Sequence, residues 1–163
     1  MTEAQQYLQE RLFYDPATGL WIWIKAPKHN ADMLGKLAGH RRPDGRLKIR
    51  VDTFAFYASH LANLYMTGEL PNDEMDHIDH DPSNDIWENL REATSSQNKW
   101  NRRAFGRDGY KGVYRAGAKW QVIVGNQYRG LFTSLQDALV FRDNAAYELA
   151  GEFAFLNLQR NAS

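Results

Sequence analysis

The run Arg46-Leu47-Lys48-Ile49-Arg50-Val51 alternates strictly between cationic and apolar side chains. Successive side chains of a strand point to opposite faces, so the pattern predicts a strand that buries Leu47, Ile49 and Val51 and displays Arg46, Lys48 and Arg50. Pro43-Asp44-Gly45 supplies the turn ahead of it, since Pro presets one dihedral and Gly tolerates positive φ. Such a strand needs a core beneath it. Hydrophobic residues make up 43% of the 163 positions, aromatics 13% and charged residues 25%, which excludes a disordered chain and leaves room for one or two small domains. No apolar run approaches the roughly 18 residues of a membrane span. Met1 is followed by the polar Thr2-Glu3-Ala4-Gln5-Gln6, so no secretory signal is expected and the protein is expected to act in the cytoplasm. Cysteine is absent, which removes disulfides, thiolate zinc sites and cysteine nucleophiles together.

Elsewhere the chain is punctuated at short intervals. Thr2 to Leu12 reads as a helix capped by Thr2, followed by a turn at Asp15-Pro16-Ala17-Thr18-Gly19 and a strand from Leu20 to Ile24. Tyr57 to Met66 reads as a helix ending at Gly68, with His60 expected to be a packed core histidine. Residues 104–110 read as a linker. Beyond it come three short strands, at 111–115, 119–124 and 128–133, and a helix from Leu135 to Ala150 with a capping signal at Ser134 and a stop at Gly151.

The zero net charge conceals blocks. Residues 25–50 carry eight basic and two acidic side chains, residues 69–92 one basic and nine acidic, and residues 99–130 eight basic and one acidic. An acidic centre between basic flanks suits a polyanion gripped at both ends with a cation between, and also suits charges that merely cluster along the sequence.

Within the acidic block, Asp79, Asp81 and Ser83 fit the first EF-hand positions, but Asn84 stands where Gly is needed and Leu90 where Glu is needed. Zinc would require more nitrogen donors than His77 and His80 supply. The remaining pattern is a strand ending at His77, a polar loop, a second strand from Asn89-Leu90-Arg91, and a helix opening at Ser95-Ser96-Gln97-Asn98. The order Asp76-His77-Ile78-Asp79, Asn89-Leu90, Asn98 resembles the HNH, or ββα-metal, nuclease motif, and most closely its homing-endonuclease-like branch common in phage genomes. Tyr57-Ala58-Ser59-His60-Leu61-Ala62 and Gly68-Glu69-Leu70-Pro71 resemble its lead-in, so the similarity spans roughly residues 12–101.

The resemblance implies that His77 is the general base and that Asn89 steadies its imidazole. It implies that Asp76 and Asn98 hold one Mg²⁺ or Mn²⁺ per active site through hard oxygen donors. Asp76 and His77 are adjacent, so an ideal strand would separate them onto opposite faces. Asp79, His80 and Asp81 are expected to stabilise the loop, and Trp87 to pack beneath it. Because local carboxylates repel nucleic acid, double-stranded DNA is expected on Arg46, Lys48 and Arg50, with Arg41 and Arg42, and on Lys99, Arg102 and Arg103.

Tyr110-Lys111-Gly112-Val113-Tyr114-Arg115, Lys119-Trp120 and Tyr128-Arg129-Gly130-Leu131-Phe132 are similar to the plant ethylene-response-factor (Apetala-type) DNA-binding domain. Gly151-Glu152 and Leu156-Asn157 continue the match. That family reads DNA with a three-stranded sheet backed by a helix. Lys111, Tyr114, Gly125 and Asn126 stand where plant members carry contacting Arg, and Tyr128 where they carry a contacting Trp, so plant target preference does not transfer. The DNA face is expected to comprise Lys111, Tyr114, Arg115, Lys119, Gln121, Tyr128 and Arg129, with Trp120, Val122 and Val124 packing under the helix.

The expected fold is α+β. A β-rich N-terminal region leads into a ββα-metal finger at about 74–103 in a nuclease domain of residues 1–104. Residues 105–163 form a small three-stranded antiparallel sheet packed on one helix. The expected activity is a metal-dependent DNA endonuclease of bacterial or phage-infected cells that nicks one strand per site, as a monomer or homodimer. A DNA-binding regulator with an idle nuclease site and an RNA-directed binder are the competing readings. A chain ending at residue 104 is expected to keep weak cutting and lose site preference.

Overall fold

The computed structural model describes residues 1–28, 30–103 and 108–159, so part of the expected linker at 104–110 lies outside the described residues. The chain is mixed α and β and divides into two compact units, Met1–Thr94 and Ser95–Ser163.

In the first unit, Thr2 caps α1 (Glu3–Gln9) by accepting a hydrogen bond from the Gln5 amide. The helix stops three residues before the expected Leu12, because that residue opens a hairpin. Strands β1 (Leu12–Asp15) and β2 (Leu20–Trp23) pair antiparallel, Leu12 opposite Trp23 and Asp15 opposite Leu20. Their turn is held by Asp15, whose carboxylate accepts from the Ala17 amide and the Thr18 hydroxyl; these bonds, Thr18 first, lower its pKa. Strand β3 (His40–Arg41), β4 (Leu47–Val51) and β5 (Phe54–Tyr57) form a three-stranded sheet with β4 central. The hairpin from β4 to β5 turns on Asp52 at φ 52°. Helix α2 (Ala58–Thr67) ends, as expected, on a left-handed Gly68 at φ 91°. Tyr14 stacks on Trp21 at 4.6 Å, and Tyr65 meets both rings edge-on at 5.7 Å. Around them Leu12, Ile49, Leu61 and Leu90 complete one core. His60 is half-buried, and burial, with Arg46 nearby, lowers its pKa, as suits a packed histidine. Strands β6 (Glu74–His77) and β7 (Leu90–Ala93) form a further antiparallel pair.

The second unit opens with α3 (Ser95–Asn101). It continues through β8 (Val113–Ala116), β9 (Lys119–Val124) and β10 (Gln127–Phe132), which form an antiparallel sheet with β9 central. Helix α4 (Leu135–Ala150) spans the expected residues, and the Ser134 hydroxyl accepts from the Asp137 amide at its start. Val113, Val122 and Val124 meet Ala138, Leu139 and Ala146 in a separate core, against which Trp100 of α3 also packs. No helix among the described residues is long and apolar enough to cross a membrane.

Candidate active site

Strands β6 and β7 place Asp76 opposite Arg91 and His77 opposite Leu90. Alternation along β6 therefore gives the two neighbouring residues different partners. The Asp76 Oδ2 accepts from the Arg91 Nε at 3.0 Å and lies 2.9 Å from its Nη2. His77 closes the strand and is only 8% exposed, and its Nε2 lies 3.1 Å from the Oδ1 of Asp85, itself 3% exposed. A carboxylate only accepts, so a neutral imidazole meeting it must donate from Nε2. Nδ1 is then the ring's proton-accepting atom.

The imidazole's carboxylate partner is thus Asp85, not Asn89. The Asn89 amide is committed to the loop: its Oδ1 accepts from the Asp79 amide at 3.0 Å, and its Nδ2 donates to the Asp79 Oδ1 at 3.0 Å and the Asn84 carbonyl at 2.8 Å. Asp79 also accepts from the Asp81 amide and the Asn84 side chain, and Asp81 accepts from the Ser83 amide and hydroxyl. Asp79 and Asp81 therefore brace the loop, as expected, and Trp87 packs against the core beneath it. His80 takes a left-handed conformation at φ 65°, one that a histidine adopts more readily than a branched residue.

Asp85 is held from the N-terminal hairpin. The buried Tyr14 hydroxyl donates to its carbonyl at 2.6 Å, and the Trp87 amide donates to the Pro16 carbonyl at 2.9 Å. Burial and the nearby Asp85 carboxylate push the Tyr14 pKa upward, so the phenol stays a donor. Gly19, at φ +72°, lies so close that an added Cβ would stand 2.6 Å from the Asp85 carbonyl carbon. Gly35 has a similar φ of +76° with nothing within 4 Å. Gly19→Ala is therefore expected to lower the thermal unfolding temperature more than Gly35→Ala. Backbone strain costs about 1–3 kcal/mol at either site, and only the former adds a collision. Equal shifts in a melting experiment would show that the Asp85 contact is not tight.

Asp85 was not singled out in the sequence, where it is one of nine acids in its block. The local signal is its position immediately before Ile86-Trp87, where apolar side chains draw the chain inward.

Asn98, on α3, is 8% exposed, and it belongs to the second unit. The donor types agree with a hard divalent ion: a carboxylate at Asp76 and an amide oxygen at Asn98 suit Mg²⁺ or Mn²⁺, which keep several waters. No three or more His, Cys, Asp or Glu gather as a metal site among the described residues.

The cationic candidates separate by face. Arg46 and Lys48 lie beside the Tyr57 ring, at 5.5 and 5.9 Å, and Arg50 is exposed. Arg41 is exposed and donates to the Gly45 carbonyl, while Arg42 lies 3.7 Å from Asp44. Lys99, Arg102 and Arg103 are exposed. In the C-terminal sheet, Tyr114 pairs with Gln121, Gln121 with Leu131, and Ile123 with Tyr128, so these residues share the face away from α4, with Lys119. A bulge between Tyr128 and Gly130 leaves Arg129 outside the regular pairing and exposed. Arg115 departs from the expected face: it pairs with Trp120 and lies 5.7 Å from that ring, on the α4 side. Lys111 departs as well, because its ammonium donates to the Lys99, Trp100 and Arg102 carbonyls at 3.0, 2.6 and 2.8 Å. Burial, with Arg142 and Arg102 nearby, brings its pKa down to about 8.

A strand ending in a buried histidine–carboxylate pair, followed by a braced polar loop and a second strand, is an arrangement suited to proton transfer. Residues 56–99 match the family model for HNH endonucleases. At the level of that family the match marks a nuclease, a hydrolase of phosphodiester bonds. No curated protein and no solved structure matches the chain.

Proposed function

We propose that the chain is a metal-dependent DNA endonuclease, using His77 as general base and cutting one strand per active site. The observation that carries this reading is the buried His77–Asp85 pair inside the segment that matches the nuclease family.

In this reading, Nδ1 of His77 accepts a proton from the water that attacks the scissile phosphorus. An imidazole offers one nitrogen that accepts while the other donates, which suits it to taking a proton from water. Asp85 holds Nε2–H and thereby the ring's tautomer and orientation. Asn89 acts at one remove, by keeping Asp79 and Asn84 in place so that the loop carrying Asp85 cannot drift. Asp76 and Asn98 would hold one Mg²⁺ or Mn²⁺, which when bound supplies charge stabilisation to the phosphate and the departing 3′-oxygen. Arg91 fixes the Asp76 carboxylate and keeps a buried negative charge compensated.

DNA is gripped away from the acidic loop. The Arg46, Lys48 and Arg50 face and the exposed Lys99, Arg102 and Arg103 would meet phosphates. The outer face of the C-terminal sheet, with Tyr114, Lys119, Gln121, Tyr128 and Arg129, would give site preference in the manner of the Apetala-type domains it resembles.

The test is incubation of supercoiled plasmid with the purified protein and Mg²⁺ or Mn²⁺. Open circle should form, and EDTA should abolish it. DNA binding without cleavage under either ion would replace this reading with that of a regulator carrying an idle site.

A further inference from the structure

Helix α3 has seven residues, too few for a helix to persist on its own propensity, so contacts from the rest of its unit decide whether it forms. The last carbonyls of any helix lack intrahelical partners, and a cation there is doubly favourable because it satisfies them and complements the helix dipole. Lys111 fills that position, with its ammonium on the carbonyls of Lys99, Trp100 and Arg102. The Phe155 amide donates to the same Trp100 carbonyl at 3.1 Å, and the Trp100 ring packs into the C-terminal core.

Lys111 is itself clamped. Asn157, 4% exposed, accepts from the Lys111 amide at 2.8 Å and donates to its carbonyl at 3.1 Å. The same Asn157 amide donates to Asp143 of α4 at 3.0 Å, and Asp143 also takes the Leu158 amide and a bond from Arg142. A continuous polar chain thus runs from α4 through Asp143, Asn157 and Lys111 to the C-terminal end of α3.

We propose that Lys111 is a positioning residue for Asn98: by capping α3 within the unit they share, it fixes the helix that carries the amide proposed to hold the divalent ion. This rests on the reading of Asn98 as a metal ligand given above. A chain ending at residue 104, expected above to keep weak cutting, lacks Lys111, Phe155 and the core under Trp100, so this proposal predicts instead that it loses cutting at limiting Mn²⁺.

The experiment uses the full chain, comparing wild type, Lys111→Met and Lys111→Arg. Plasmid nicking is followed under single-turnover conditions across a Mn²⁺ titration, beside DNA binding in EDTA and thermal unfolding. Methionine keeps the stem and removes the donors, so Lys111→Met should bind DNA within about twofold of wild type. It should nick at least roughly tenfold more slowly at limiting Mn²⁺ and recover as Mn²⁺ is raised, as expected when outer residues tune a metal site. Lys111→Arg should regain most of the rate, because guanidinium also caps carbonyls. Should Lys111→Met not fold, Lys111→Gln, which keeps amide donors, takes its place in the same titration.

Wild-type metal dependence in Lys111→Met overturns the proposal. So does a loss of nicking that excess Mn²⁺ fails to restore and that accompanies a general drop in unfolding temperature. If wild type itself does not nick with either ion, the nuclease reading fails first, and the two failures are told apart.

Discussion

Replacing His77 by alanine is expected to reduce metal-dependent plasmid nicking by about 10²–10⁴-fold, the range for loss of a positioned general base. The imidazole is buried, at 8% exposure, and is held by the Asp85 carboxylate, so it adds little to the grip on DNA, which the proposal assigns to exposed cations. Affinity for DNA measured in EDTA should therefore stay close to wild type, while the single-turnover rate collapses. The measurement is the conversion of supercoiled to open circle over time at fixed Mg²⁺ or Mn²⁺. Retention of more than about a tenth of the rate, against that range, would mean that another group takes the proton.

The second large effect is expected at Asp85. Asp85→Asn keeps size and shape but turns an obligate acceptor into a group that can also donate. An amide donating to Nε2 selects the opposite tautomer, placing the ring's proton on Nδ1, the atom proposed to accept it from water. Nicking is expected to fall on the order of 10²-fold, a loss typical of groups that orient a functional histidine. The isosteric change should leave thermal unfolding near wild type, because the Asp85 carbonyl still takes the Tyr14 hydroxyl. The comparison that decides is Asp85→Asn against Asn89→Ala. The first should lose rate with the fold intact, whereas the second should lower stability too, because it removes three bonds that brace the loop. An Asp85→Asn protein that nicks at full rate would show that the carboxylate does not orient the base.

The elements set by short-range physics were legible in the sequence. The alternation of residues 46–51, the stop at Gly68 and the cap at Ser134 each reappear, because a pleated strand, a left-handed glycine and a side-chain cap need only nearby residues. Strand β1 was not legible: Leu12-Phe13-Tyr14 continues directly from a helical pattern, and pairing with β2 decides where the helix ends. The face occupied by Arg115 was available from period two alone, since its neighbour Tyr114 lies on the other side; its position amid basic residues obscured it.

The candidate site divides along the same line. The residue types and their spacing, an acid and a histidine ending one strand, an asparagine before the next and another asparagine on a helix, belong to the sequence and carry its resemblance to the nuclease motif. The sequence does not disclose which side chain meets the imidazole, because Asp85 reaches His77 only after the loop folds back and the hairpin carrying Tyr14 and Gly19 closes over it. Nor does it disclose that Lys111 serves a helix ten or more residues earlier instead of DNA. A lysine's partners depend on which carbonyls its stem can reach within the packed unit, and that distance is a property of the tertiary structure alone.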